Sequence, residues 1–309
     1  MLPIYFEPKK SFKLYGLKKE FDFLKSLYLK KSLPKVLMIS GHKGIGKFTL
    51  VNHLINFIFN KTNYNEKNNE FDLNSNITVQ ISNNLFPNVI LLSGINFENS
   101  KVDDVRNLKK KVFQTNIFDN ERFIILDDIE LFNINSVNAL LKLVEEPTKN
   151  NHFILINNQS KKLIDTIRSR SLEIKISLNE DTRLNIVSSL IEAYKIKLVL
   201  NLENSALTPG NFLKFNYILD ENNISIKDDF LKNLKLLLNI YKKNKDFTYI
   251  KLILFMTDYF FDQKMQNSIS NNKLIEQKRF VFKNINNFYQ YNLNQNALLN
   301  KISDKIIYE

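Results

Sequence analysis

An apolar pentapeptide, "VLMIS" (36–40), runs without a break into "GHKGIGKFT" (41–49), and this junction limits the fold more than any other feature of the chain. Gly41, Gly46 and Lys47 hold the places of G-x-x-x-x-G-K-[ST], and Gly44 lies between them. Such a loop cradles phosphates with its backbone N–H groups where a strand passes into a helix. A strand, a glycine loop and a helix in that order belong to a parallel sheet with helices packed on its faces. The pattern departs at one letter. Where Ser or Thr would give magnesium a hydroxyl ligand, the chain has Phe48. Thr49 is no simple substitute, because one step along a helix turns a side chain by about 100° and moves it by about 1.5 Å.

Downstream, strand and helix patterns alternate. Leu50, Leu54 and Ile58 share one helical face, with Val51 and Ile55 beside them. The polar, Asn-rich "NKTNYNEKNNEFDLNSN" reads as a surface excursion. "NVILLS" (88–93), "RFIILDDIELF" (122–132) and "HFILINN" (152–158) are buried-strand patterns. Between them, "KVDDVRNLKKKVFQ" places Val102, Val105, Leu108 and Val112 on one helical face. "INSVNALLKLVEEP" does the same with Val137, Leu140, Leu141 and Val144, and Pro147 closes it. From about residue 179 the strand signals fade, and "NEDTRLNIVSSLIEAYKI", "LTPGNFLKFNYIL" and the segments from "IKDDFLKNLKLLLNIYKKN" to "NQNALLNKISDKII" predict helices. No internal repeat is evident, and 309 residues suit two or three hydrophobic cores.

Composition excludes several chemistries. There is no cysteine, and His42, His53 and His152 are too few and too scattered for an imidazole cluster, so no protein-built metal centre is expected; a metal would arrive with nucleotide. The three histidines are expected in a loop, on a helix surface and at a strand end. The net charge of +12 comes from lysines spread along the chain, which reads as solvated surface and not as a dedicated DNA face. No apolar run of about 18 residues and no signal-peptide core is present, so a cytoplasmic protein without a membrane partner is expected.

Three further landmarks narrow the reading. Asp127 ends an apolar strand, an LLK-x-x-EEP helix follows, and after the next strand comes "TIRSRS". The combination resembles the clamp-loader branch of the AAA+ ATPases. Within it, the chain from "LYGLKKEFDFLKSLYLKKSLPKVLMISGHKGIGK" to "YNLNQNALL" is similar to the family of bacterial DNA polymerase III delta-prime subunits, with "VDDVRNLKKKV", "ILDDIELFNINSVNALLKLVEEP" and "LIDTIRSRS" in family order and spacing. The resemblance implies a Rossmann-like AAA+ domain with a parallel sheet (1–174), a small helical lid (175–222) and an all-helical collar (223–309). It also implies a hetero-oligomeric ring with the polymerase III tau/gamma and delta subunits, which places a sliding clamp on primed DNA.

Carried over residue by residue, the resemblance makes Gly41, Gly44, Gly46, Lys47, Thr49 and Asp127 a degenerate nucleotide site. Asp127 takes the place of the magnesium-anchoring carboxylate. Asp128 stands where an active member has a glutamate that polarises water, and a carboxylate withdrawn by about an ångström can cost about 100-fold. Asn211, in "TPGN", stands where a lid arginine senses the γ-phosphate, and Asn157 or Asn158 where the first sensor lies. Arg170 is the arginine finger, acting in trans on a neighbour's ATP; Arg168 is a weaker candidate. Ser171 replaces the family's cysteine and needs a hydrogen bond if buried. Lys142, Glu145 and Glu146 are candidates for interface or DNA-facing duty. The expectation is a chain without ATPase activity of its own, with ATP or ADP and magnesium not required at its loop. The alternative is a tau/gamma-like motor subunit that hydrolyses ATP.

Overall fold

The structure, a computed structural model, describes residues 3, 6–94, 121–145, 147, 150–202, 206–266 and 272–307. The expected helix at 101–114 and Glu146 lie outside the described residues, as do the side chains of Leu141 and Lys142. The chain divides into two compact units, Met1–Ile196 with Leu202–Phe212, and Lys197–Asn201 with Leu213–Glu309.

In the first unit the chain forms α1 (Lys18–Leu29), β1 (Val36–Ser40), α2 (Lys47–Phe59), β2 (Tyr64–Asn65), β3 (Glu70–Phe71), α3 (Asn76–Ser82), β4 (Val89–Ser93) and β5 (Arg122–Asp127). It continues through α4 (Ile134–Glu145), β6 (Asn151–Asn157), α5 (Asp165–Arg168), β7 (Leu172–Lys175) and α6 (Glu180–Tyr194). Five strands make one sheet in the order β4–β5–β6–β1–β7, and every pairing is parallel. Side chains alternate across it. Leu37, Ile39, Phe123, Ile125, Ile154 and Ile156 pack with Phe21 and Leu24 of α1 and Leu50 and Leu54 of α2. Val36, Met38, Ile124, Leu126, Phe153 and Leu155 pack with Val137, Leu140 and Val144 of α4. The middle strands are therefore covered on both faces, which is why their sequences are unbroken apolar runs. Register brings the strand ends into line: Ser40 faces Asn157 and Lys175, and Ser93 faces Asp127. The glycine loop leaves from this edge.

Two sequence expectations change here. The Asn-rich segment is more than a surface excursion: it holds the β2–β3 hairpin and leads into α3, and Tyr64 and Phe71 are buried. His53 is not on a helix surface. It is fully buried with Phe21, Tyr64 and Phe71 around it. Its Nδ1 lies 3.0 Å from the Tyr64 hydroxyl and its Nε2 3.0 Å from the Ser11 carbonyl oxygen. Burial lowers its pKa to about 4, so the ring is neutral and the cluster is a core. His42 is exposed in the loop, and His152 is buried near the start of β6.

α7 (Pro209–Glu221) begins in the first unit and continues into the second, which then contains α8 (Phe230–Asn244), α9 (Phe247–Gln266), α10 (Asn272–Tyr291) and α11 (Gln295–Ile307). α8 packs on α9, α9 on α10, α10 on α11, and α11 returns to α8. Leu234, Leu237, Leu238, Ile250, Ile253, Phe261, Val281, Ile285 and Ile302 form the interior of this bundle. No described helix is long and apolar enough to cross a membrane.

Candidate phosphate loop and the exposed arginine

The loop is built as the sequence suggests. Gly41 N–H donates to the Asn157 carbonyl at 3.2 Å, fixing the exit from β1 to its neighbour β6. Gly46 precedes α2 with φ +98°, a conformation that side-chain-bearing residues rarely adopt. Lys47 opens α2 and is buried. Its ammonium donates to the carbonyl oxygens of Gly41 (2.7 Å) and His42 (2.8 Å), so it closes on its own loop. Burial lowers its pKa to about 8, against the pull of Asp127, Glu130 and Asp128. Phe48 packs against the hydrophobic core beneath α2, and Thr49 is half-buried one step further along the helix.

The carboxylates at the end of β5 have separate duties. Asp127 has a pKa raised to about 6, first by burial and then by the adjacent Asp128 charge, despite the Asp128 N–H bond at 2.9 Å and the lysines nearby. Asp128 is buried in the left-handed region at φ +51°. Both of its oxygens receive the Lys43 ammonium, at 2.9 and 3.1 Å, and Oδ1 receives Asn158 Nδ2 at 2.8 Å. Of the two sensor candidates, Asn158 therefore faces the carboxylates, while Asn157 bonds Ser40 Oγ and the Gln159 N–H. Glu130, which sequence reasoning passed over, accepts from Asn158 N–H (3.1 Å), Ser160 N–H (3.1 Å) and Ser160 Oγ (2.7 Å), and so holds the turn after β6. Lys43 was missed too. Its partner is distant in sequence, and the loop consensus leaves its position open.

"TPGN" meets the loop directly. Thr208 Oγ1 donates to the Lys43 carbonyl at 2.8 Å, and Gly210 N–H to the Gly44 carbonyl at 2.8 Å. Gly44 sits at φ +91°, and a Cβ there would lie 2.6 Å from Thr208 Oγ1 and 3.1 Å from Asn211 N. Position 48 offers no side-chain oxygen to a magnesium ion, Asp128 is paired with Lys43, and Lys47 is bonded to two carbonyls of its own loop.

Arg170 follows α5 and stands differently. Its Nη2 is 2.8 Å from Glu145 Oε1 at the end of α4, and its Nη1 donates to the Thr166 carbonyl at 3.0 Å. The guanidinium and its carboxylate partner are both solvent-exposed, at 36% and 41%. Ser171 Oγ donates to the Ile167 carbonyl at 3.1 Å, which meets the need created by a hydroxyl at a cysteine's place. Arg168 approaches Glu173 at 3.8 Å.

A parallel sheet with a glycine loop at its C-terminal edge, followed by helices, defines an α/β protein of the P-loop kind. The chain belongs to the DNA polymerase III, delta subunit family, whose profile matches residues 16–180 and so takes in the loop, Asp127 and Arg170. It is 28% identical over 287 residues to the DNA polymerase III subunit delta' of Buchnera aphidicola subsp. Schizaphis graminum, covering 89% of this chain and 83% of that one. To the DNA polymerase III subunit gamma of the same organism it is 27% identical over 164 residues, 50% of this chain and only 44% of that one, less than half the relative's length. A DNA polymerase III gamma-subunit-related protein from Thermotoga maritima aligns at a TM-score of 0.47 and 16% identity, over 90% of this chain and 96% of that one.

Proposed function

We propose that the chain is the delta-prime subunit of a clamp loader, one that turns over no ATP and lends Arg170 to the nucleotide of a neighbouring subunit. On this reading residues 1–174 are the AAA+ domain, 175–222 the lid and 223–309 the collar that joins tau/gamma and delta subunits in a cytoplasmic ring. The ring acts on the sliding clamp and primed DNA. The observation that carries it is the contrast between Lys47, bonded to carbonyls of its own loop, and Arg170, held at the surface by an exposed carboxylate. A guanidinium so placed can reach phosphate oxygens outside the chain with its planar fork of donors.

Two measurements test this. The isolated chain should show no ATPase above background; turnover near about 1 per second that is lost in Lys47→Ala would make it a motor subunit. In complexes reconstituted with tau/gamma and delta, Arg170→Ala should leave the mass of the assembly unchanged. It should lower ATP hydrolysis at the adjacent site by about 10³. Arg170→Lys should not restore it, and Lys47→Ala should have little effect. Equal losses from the two alanine variants would remove the trans-acting role.

A further inference from the structure

Read as a string, the chain shows no surface that combines aromatic and basic groups. The bundle assembles one. Phe247 at the start of α9 and Tyr289 near the end of α10 lie against each other, centroids 4.5 Å apart and planes tilted by 33°, so the α8–α9 and α10–α11 turns share one end of the bundle. Tyr241 lies beneath, 6.4 Å from Tyr289. Phe247, Tyr289 and Tyr291 are exposed by 39%, 45% and 65%. Lys242 and Lys243 are exposed in the last turn of α8, ahead of the α8–α9 turn. Lys245 Nζ lies 5.7 Å from the centre of the Tyr241 ring, and Lys251 Nζ 5.3 Å from that of Phe247. The carboxylate within the α8–α9 turn, Asp246, accepts the Thr248 N–H at 2.8 Å and caps α9.

Each half of this composition argues for the same occupant. Exposed rings alone would suit a protein partner, but the core of a protein interface is depleted in lysine. Lysines alone would suit any polyanion, but duplex bases are stacked on one another and leave such rings nothing to stack on. Single-stranded nucleic acid satisfies both, with its phosphates meeting cations and its bases meeting ring faces. We propose that this end of the bundle binds single-stranded nucleic acid, with bases stacking on Tyr289 and Tyr291 and phosphates drawn by Lys242, Lys243 and Lys245. Phe247, held by Lys251, backs the Tyr289 ring and keeps it from collapsing inward. The site depends neither on the phosphate loop nor on Arg170.

The test is fluorescence anisotropy of a labelled oligothymidylate of about 15 nucleotides with the intact chain, across a salt series, beside a duplex of equal length. The strand should bind more tightly than the duplex. Tyr291→Ala should weaken it about tenfold and Tyr291→Phe should preserve it, since a ring face and not a hydroxyl makes the contact. Because Tyr291 is so exposed, its loss should leave helix content and the melting curve unchanged, and Tyr289→Ala separately tests the ring that lies against Phe247. Lys242→Ala and Lys243→Ala should each lower the log–log salt slope by roughly 0.7. The proposal is overturned if no binding occurs at low salt, or if strand and duplex bind alike and Tyr291→Ala changes nothing. It is equally overturned if Tyr291→Ala keeps oligonucleotide affinity while releasing the chain from tau/gamma and delta, which would make the end of the bundle a protein interface.

Discussion

The phosphate loop and the Ser-Arg-Ser turn carry two specific motifs of the same domain, and the fold uses their cations in opposite ways. Lys47 and Lys43 are bonded to loop carbonyls and to Asp128, and the outer carbonyls of the loop are bonded to Thr208 and Gly210. Arg170 ends at the surface against Glu145. An exposed ion pair contributes about 0–1 kcal/mol, so its guanidinium can be transferred to another partner cheaply. Withdrawing a buried ammonium from two carbonyls forfeits charge-assisted bonds of about 1.5–3 kcal/mol each. A motif therefore has to be read together with what its charged group is bonded to: the same letters can mark a ligand site or an internal brace.

The largest way to test that difference is at Gly44. Gly44→Val places a branched side chain at φ +91° and against Thr208, and should cost about 3 kcal/mol in urea unfolding. A loss below about 0.5 kcal/mol would mean that the loop is not a brace. Asp127 gives a smaller effect with a defined pH signature. Its carboxyl has a pKa of about 6 in the folded chain against an ordinary 3.8, so the folded state holds the proton more tightly. The stability this contributes is complete below about pH 4 and is lost as pH rises through about 6. Asp127→Asn should accordingly stabilise the protein by about 1–2 kcal/mol near pH 7.5 and by nothing near pH 3.5. A gain that is independent of pH would place the cause outside this carboxyl. The smallest effect belongs to Arg170, where alanine should shift stability by no more than about 0.5 kcal/mol. A shift of about 2 kcal/mol would show a brace here too, and the contrast between the two regions would fail.

Much of this was legible in the letters. Strands covered on both faces must be apolar throughout, so β1, β5 and β6 announced themselves, and the loop followed from β1. α4 showed its stripe at helical spacing. β7 was not read as a strand, because "LEIK" is short and half-exposed and pairs along one side only, with β1. α1 also went unread: its first residues, "KKEFDF", bury only Phe21. The hairpin at Tyr64 and Phe71 was hidden by the asparagines around it, since two buried rings in a polar stretch make no periodic signal. Of the site, the glycines and lysine were readable from local spacing. The Lys43–Asp128 pair, the seat of Thr208 on the loop and the aromatic end of the bundle were not, for each joins residues that only the tertiary fold brings together.

The Lys43–Asp128 pair also bears on the ionic conditions that this domain can tolerate. A P-loop enzyme neutralises its acidic strand end with a divalent ion that dissociates and whose concentration the cell sets. Here Asp128 has its counter-ion tethered by the backbone of the loop, 2.9 Å away and always present in the same stoichiometry. Chelators cannot remove it, and fluctuations in magnesium cannot dilute it. The chain itself thus supplies the counter-charge of Asp128.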